Sequence, residues 1–245
     1  MNPLRAAALA SLCLLSACSS SLSGPALRDR LHDHGLRVRT ADLEASAARQ
    51  PSFDLPLRLA IGPPWNVETG PWLGGSGVGT WSAEERAHFG AWIERAKQSG
   101  LVESVEFIPS LLVESPDEDG DLLRSMRAAA ALQHCDAVLV TQRTLDTARW
   151  EDEWSVFYLT IVGMFFVPAT HVESMAIVEG FVLDVETGAL WRSADGTMTR
   201  DAKTNFIRAD REQRRLPEQA ALTALDAFCE ALLRSVAAHP AVNPQ

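Results

Sequence analysis

The chain has 245 residues, a formal net charge of −10 and 47% hydrophobic residues. This length is enough for one large domain or two small ones. The negative balance excludes broad binding to nucleic acid, because phosphate contacts need a basic surface. We therefore expect no nucleic-acid partner.

The first seventeen residues are typical of a signal peptide. After Arg5, the segment Ala6 to Leu15 is an apolar run of about ten residues, too short to span a bilayer, which needs ~20. Ser16 and Ala17 place two small side chains before Cys18, a pattern that resembles the bacterial lipobox. We predict cleavage between Ala17 and Cys18, with diacylglyceryl and palmitate chains on Cys18 that anchor the protein in membrane lipid. The alternative is an ordinary signal peptide with a chance cysteine.

The residue after the cysteine bears on the choice of membrane. In familiar Gram-negative sorting an Asp at this position favours the inner membrane, whereas here it is Ser19. We expect lipid anchoring at the periplasmic face of the outer membrane. Residues 18–52 are predicted to form a tether and a loosely ordered arm, and residues 53–240 to form the domain.

The first half of the domain alternates strands with helices. Ser82 and Glu85 have the spacing of a capping box, which begins a helix, and Gly100 is placed to end that helix. Alternating or continuous apolar runs predict strands, and Gly and Pro clusters predict turns. The predicted elements are strands at 57–61, 102–108 and 137–140, a long Gly-rich loop at 65–80, and a second helix at 121–133.

A nearly continuous apolar segment follows, from Trp154 to Ala169. It is too short and too broken for a membrane-spanning helix. It is either a buried core element or a surface that meets a partner or the membrane, because exposed apolar patches mark contact sites. If the segment lies at the surface, the candidate interaction residues are Phe157, Tyr158, Phe165 and Phe166.

The last third predicts a β-hairpin and a terminal helix. Residues 176–184 and 189–192 flank a turn at 186–188, and Pro217 suits the first position of a helix. That helix has a buried stripe of Leu222, Leu225, Cys229, Leu232 and Val236. We predict an α/β fold: a single domain with a mixed sheet, two to three packing helices, a β-hairpin and a C-terminal helix.

None of the motifs examined indicates chemistry. Gly74 to Gly79 lacks the lysine of a phosphate loop and the frame of a nucleophile elbow, so we expect a flexible surface loop. Residues 116–121 lack the frame of a calcium loop, and the six histidines lack ligand spacing. The run Glu151 to Glu153 is either a pair of acid–base carboxylates or the solvated flank of the apolar segment. We expect no catalytic residue, no metal and no cofactor.

Two cysteines remain after Cys13 is removed with the signal peptide and Cys18 is acylated. Cys135 and Cys229 are either two separate buried thiols or a disulfide, which an oxidising periplasm would permit. Cys135 adjoins a predicted strand and Cys229 lies on the apolar face of a predicted helix. This placement favours separate thiols.

Several stretches resemble the rhombotarget lipoproteins, a family of bacterial lipoproteins. They are RLAIGPPW (58–65), SGLVESVEFIPS (99–110), DAVLV (136–140), FYLTIVGMFFVPA (157–169) and VEGFVLDVETGALWRSADGT (178–197). The resemblance implies a lipoprotein without an established activity. More distantly, the turn with Asp184, Thr187 and Gly188 is similar to turns in periplasmic α/β lipoproteins of the curli-secretion type, which implies assembly or binding of envelope proteins.

The sequence therefore predicts a lipid-anchored, non-catalytic module that binds an envelope protein. The contact surface is expected to be the apolar segment and the hairpin. A second hypothesis is a periplasmic ligand-binding module in which a loop with Trp65, Trp72 and Trp81 covers a pocket. A third is a hydrolase, which the absent motifs disfavour.

Overall fold

The structure is a computed structural model that describes residues 48–68, 75–113 and 122–237. The predicted cleavage site at Ala17 and Cys18, the residue Trp72 and the acidic run 116–121 lie outside the described residues. Within the described residues, no helix combines the length and the apolar character that crossing a membrane demands.

Seven strands of the described residues form one mixed sheet. The strands are β1 (Leu57–Ile61), β2 (Trp65–Glu68), β3 (Gly75–Val78), β4 (Val102–Phe107), β5 (Ala137–Glu151), β6 (Thr170–Asp184) and β7 (Leu190–Thr204). β5 lies at the centre: β1 and β2 pair in parallel with successive parts of it on one side, and β6 pairs antiparallel with its whole length on the other. β4 continues the sheet beyond β1, β3 beyond β2 and β7 beyond β6.

Helices cover both faces of this sheet. On one face, Phe89 and Trp92 of the first helix pack with Leu225 and Phe228 of the last. On the other face, Met126 centres a second cluster. The helices are α1 (Ala83–Gln98), α2 (Leu122–Leu132), α3 (Ile161–Phe166) and α4 (Phe206–Ala237), with 3₁₀ helices at Ser110–Leu112 and Glu153–Leu159. The predicted α/β class, with its hairpin and C-terminal helix, is confirmed.

The signals at the ends of α1 act as the sequence predicts. The Ser82 hydroxyl accepts the Glu85 amide at 3.1 Å, and the Glu85 carboxylate accepts the Ser82 amide at 2.8 Å. Gly100 adopts a φ of +71° just after the helix. Glu85 also pairs with Arg143 of β5, so the cap ties α1 to the sheet.

Several predicted boundaries are wrong. The hairpin strands are longer than predicted, since β6 begins at Thr170 and β7 ends at Thr204. Within 65–80, β2 and β3 form an antiparallel pair where a long flexible loop was expected, and the Gly-rich run lies largely in β3. β5 does not end at Val140, because Thr and Ala continue its alternation to Glu151. The last helix begins at Phe206, so Pro217 lies in its interior.

The last helix runs along the β6–β7 hairpin. At ~1.5 Å per residue its 32 residues span about 46 Å, as do the residues of a fifteen-residue strand at ~3.3 Å each. Two glycines permit the close approach of this helix to the hairpin. A Cβ at Gly196 would meet the Ala224 carbonyl and the Phe228 amide, and one at Gly180 would meet the Phe228 ring at 2.9 Å.

Candidate functional site

The apolar segment forms the connection between the far ends of β5 and β6. The 3₁₀ helix Glu153–Leu159 is followed directly by α3, and Thr160 joins them. The Thr160 hydroxyl donates to the Phe157 carbonyl at 2.8 Å and accepts the Gly163 amide at 3.0 Å. We call residues 154–166 the apolar tip.

Most side chains of the apolar tip face solvent. The most exposed are Leu159 at 84%, Phe166 at 79% and Ile161 at 78%. With side chains of ~150–250 Å² each, the exposed apolar area is on the order of 1,000 Å², beyond the ~300–600 Å² of the largest patch on a typical monomer. The exposed large residues are Trp154, Val156, Phe157, Leu159, Ile161, Val162, Phe165 and Phe166.

Tyr158 fixes the base of the apolar tip. Its hydroxyl lies 3.1 Å from the Val167 carbonyl and 3.0 Å from the Thr170 hydroxyl, and it accepts the Ala169 amide at 3.0 Å. Its ring packs edge-on against Phe206 of α4 at 5.6 Å. Tyr158 is half-buried, so it positions the apolar tip, whereas sequence reasoning placed it on the contact surface.

A cluster of charged side chains also lies at the base of the apolar tip. Asp152 caps the 3₁₀ helix by accepting the Trp154 amide at 3.0 Å, and it pairs with Lys203 at 2.6 Å and His171 at 3.2 Å. Burial opposes ionisation of this carboxyl, but hydrogen bonds from Lys203, His171 and the Trp154 amide outweigh it, so the pKa of Asp152 is lowered from 3.8. His171 also stacks on Trp150 at 5.4 Å. Glu151 and Glu153 are exposed, as expected of a solvated flank, whereas Asp152 is held in this ionic cluster.

The first turns of α4 brace the apolar tip from the side. The Asn205 amide donates to the Phe165 carbonyl at 2.5 Å. The Arg149 guanidinium lies over the Phe206 ring at 5.3 Å and pairs with Asp210 at 2.8 Å. These contacts join the apolar tip to the start of α4, and α4 to β5, so we expect the apolar tip to hold one shape.

The predicted interaction residues therefore fall into two groups. Phe157, Phe165 and Phe166 are 46%, 50% and 79% exposed, whereas Tyr158 supports them from below. The segment is not a buried core element. The apolar run itself was the sequence signal, but the clamp between Asp152 and Lys203 joins residues far apart in the chain, and nothing in the sequence indicated it.

Trp65 and Trp81 of the predicted tryptophan loop do not form a lid, and Trp72 lies outside the described residues. Trp81 is 5% exposed, and its indole nitrogen donates to the Gly62 carbonyl at 2.8 Å, so it belongs to the core. Trp65 is half-buried in the strand β2. An apolar cavity lies elsewhere, and different tryptophans, Trp92 and Trp191, contribute to its lining.

The opposite end of the hairpin is held by Asp184. Its buried carboxylate accepts the Ser52 amide at 2.6 Å and the Thr187 amide at 2.7 Å. Burial opposes its ionisation, but these bonds outweigh that effect, and the pKa of Asp184 is lowered from 3.8. Gly188 adopts a φ of +70° in this turn. The predicted turn residues thus fasten residues 49–52 to the hairpin.

The described residues offer little for catalysis. Among them, no three His, Cys, Asp or Glu side chains are placed to hold a metal ion. Cys135 and Cys229 are both free and buried, in different clusters, as the sequence favoured. Burial raises the pKa of both thiols, that of Cys229 to about 12, so neither is an activated nucleophile.

Comparison with known proteins yields structural likeness only. No family model matches the chain, and no curated protein sequence matches it, so the resemblance to rhombotarget lipoproteins stays a prediction. Three similar structures are a PelC dodecamer from Paraburkholderia phytofirmans, the lipoprotein GNA1162 from Neisseria meningitidis and the LpoB C-terminal domain from Salmonella enterica.

All three likenesses are weak. The PelC structure is 15% identical over 71% of this chain and 86% of that one, with a TM-score of 0.31. GNA1162 is 12% identical over 67% and 97%, with 0.30, and LpoB is 11% identical over 60% and 84%, with 0.25. At these values the comparisons support no inference about activity or partners.

Proposed function

We propose that this chain is a lipid-anchored lipoprotein of the bacterial envelope that acts without catalysis, as a protein-interaction and assembly module. The observation that carries the proposal is the open edge of β7, which within the described residues pairs with β6 alone, and the exposed apolar tip adds a second contact. An apolar area on the order of 1,000 Å² marks a surface that a contact covers in the working molecule. Its fixed base gives that surface one shape.

The anchor in this proposal is Cys18. Cleavage after Ala17 exposes its amine, and two or three acyl chains on the residue give stable attachment, since one chain holds only marginally. Ser19 in place of an Asp favours the periplasmic face of the outer membrane. Loss of membrane association in a Cys18→Ala variant of the full chain tests this step, and unchanged association would contradict it.

The contact surface consists of the apolar tip and the β6–β7 hairpin. Within the described residues, β7 pairs with β6 alone, so one edge of a fifteen-residue strand is open. An open edge accepts a strand of a partner through backbone hydrogen bonds. Charged residues on β7, such as Arg200 and Asp201, limit unspecific pairing along this edge.

Site-specific photo-crosslinking in cells tests the proposal. Lys97 and Lys203 are the only lysines, so a photoreactive amino acid at Thr197 of β7 is better suited than an amine-reactive reagent. We expect one envelope protein in the adduct, and none from the same probe at the exposed Glu218 of α4. Identical adducts from both positions would contradict an interaction module.

A further inference from the structure

Within this contact surface, we infer that the apolar tip inserts into the lipid bilayer that holds the acyl chains of Cys18. The protein is then attached at two points, by its lipid and by its fold. The inference rests on the proposed function, because the anchor is what places the domain beside a membrane. It leaves β7 as the surface for a protein partner.

The chemistry of the apolar tip suits a medium that forms no hydrogen bonds. From Trp154 to Thr170 there is no charged residue. The helical turns satisfy their backbone groups internally. The Met164 amide donates to the Thr160 carbonyl at 3.2 Å, and the Val167 amide donates to the Gly163 carbonyl at 3.0 Å. Backbone at membrane depth must be satisfied internally in this way.

The same feature disfavours a protein on the apolar tip. Protein interfaces carry about one hydrogen bond per ~100–200 Å². The hydroxyls within the apolar tip are those of Ser155, Tyr158 and Thr160, and those of Tyr158 and Thr160 are already bonded at its base. What remains exposed is largely hydrocarbon and aromatic ring, which offers a protein little to recognise.

The exposure values indicate a protruding surface. Leu159, Ile161 and Phe166 are 78–84% exposed, which requires that little of the protein stands beside them. Helices that lie at a membrane surface bury their apolar faces ~5–10 Å into the boundary between headgroups and acyl chains. Phe206 and Ile207, 38% and 48% exposed at the start of α4, extend the apolar tip on one side.

The exposed charges near the apolar tip are of both signs. Arg208 and Arg211 are exposed on the first turns of α4, whereas Glu151 and Glu153 are exposed at the base of the apolar tip and Asp210 lies between the two arginines in the chain. Basic residues close to a membrane surface are attracted to anionic headgroups over about a Debye length, and acidic residues are repelled. The apolar side chains, rather than the charges, therefore draw the apolar tip into the bilayer.

The geometry allows both attachments at once. The apolar tip lies beyond the far end of β5 and β6, roughly 46 Å at ~3.3 Å per residue from the end that holds residues 49–52. Ala48 lies thirty positions after Cys18, and a chain of that length reaches at most ~100 Å. The arm is therefore long enough for the apolar tip to contact the same membrane that holds the acyl chains of Cys18.

A vesicle-binding experiment tests the inference. The protein is the mature chain, residues 18–245, with Cys18→Ser so that no acyl chain contributes. A Leu159→Cys variant of it carries an environment-sensitive fluorophore, which labels selectively because Cys135 and Cys229 are buried. With vesicles of phosphatidylethanolamine and phosphatidylglycerol, we expect a blue shift of the fluorophore's emission that is absent without vesicles.

A matched pair of double variants provides the control, with co-sedimentation of the unlabelled mature chain on the same vesicles as the readout. Leu159→Asp with Phe166→Asp should lower binding by roughly tenfold or more, because charge at this depth is costly. Leu111→Asp with Leu132→Asp changes residues that are 93% and 72% exposed elsewhere and should leave binding unchanged. Circular dichroism confirms that each variant folds.

Two outcomes would overturn the inference. One is that the mature chain does not bind the vesicles, or that the two double variants bind them equally well. The other is capture of a protein in place of lipid by a photoreactive residue at position 166 in cells. Neither outcome changes the crosslinking expected from Thr197 of β7. The proposed function is therefore tested independently of this inference.

Discussion

The hydroxyl of Tyr158 is the smallest group whose removal should loosen the apolar tip. Tyr158→Phe deletes its bonds to the Val167 carbonyl and the Thr170 hydroxyl. The buried Ala169 amide then keeps only the Val167 carbonyl, at 3.1 Å. A buried group that loses its partner costs ~1–3 kcal/mol. Because one weak partner remains, we expect the free energy of unfolding to fall by about 1–2 kcal/mol.

Urea denaturation measures this change, and hydrogen exchange at the Ala169 amide shows where it occurs. We expect faster exchange at that amide, with little change in β1. Phe166→Leu is the matched control, since a residue 79% exposed should shift the unfolding free energy by less than ~0.5 kcal/mol. A loss for Tyr158→Phe as small as that of the control, with unchanged exchange, would refute the role assigned to the hydroxyl.

Three further predictions concern the rest of the domain. Gly196→Ala should lower the unfolding free energy by more than ~2 kcal/mol in urea denaturation, because its Cβ would meet the backbone of α4; a neutral variant would contradict this packing. Cys135 and Cys229 should resist maleimide in the native protein and react once it unfolds, and fast native labelling would contradict their burial. The stabilisation from Asp184 is fully present above its unfolded pKa near 3.8 and is lost as the pH falls through the lower folded value. Asp184→Asn should therefore flatten the acid limb of a stability–pH curve, and an unchanged limb would contradict the assignment.

Local signals predicted those elements whose ends are marked by short-range chemistry. The capping box of Ser82 and Glu85, the turn at Gly188 and the helix stop at Gly100 each depend on residues a few positions apart. Their physics is contained in the local sequence. For that reason the class of fold and the order of its elements other than β2 and β3 could be predicted.

The bounds that local signals predicted wrongly depend on contacts between residues far apart in the chain. β5 continues through Thr141 to Glu151 because β6 supplies a partner for every residue of it. Helix α4 continues through Pro217 because its first half packs on Val172 through Ala209 and Leu216. Because polar residues and a proline occur there, local signals predict that β5 ends too early and that α4 begins too late.

The exposure of the apolar tip could not be settled from sequence for the same reason. A run of apolar residues has one composition whether it is buried or exposed, and its position depends on which elements are left to cover it. Here α1, α2 and α4 cover the sheet, and the contacts from Phe206 and Asn205 reach only one side of the tip. The remaining side chains therefore face outward.

The most direct test of the account is a photoreactive phenylalanine at position 166 of the full-length, anchored protein in living cells. The account predicts an adduct of phospholipid mass, which is absent with the same probe at Leu111. A probe at position 166 that reacts only with water or with its own chain, in a protein that folds and stays anchored, would show that nothing covers the apolar tip and would contradict the central claim.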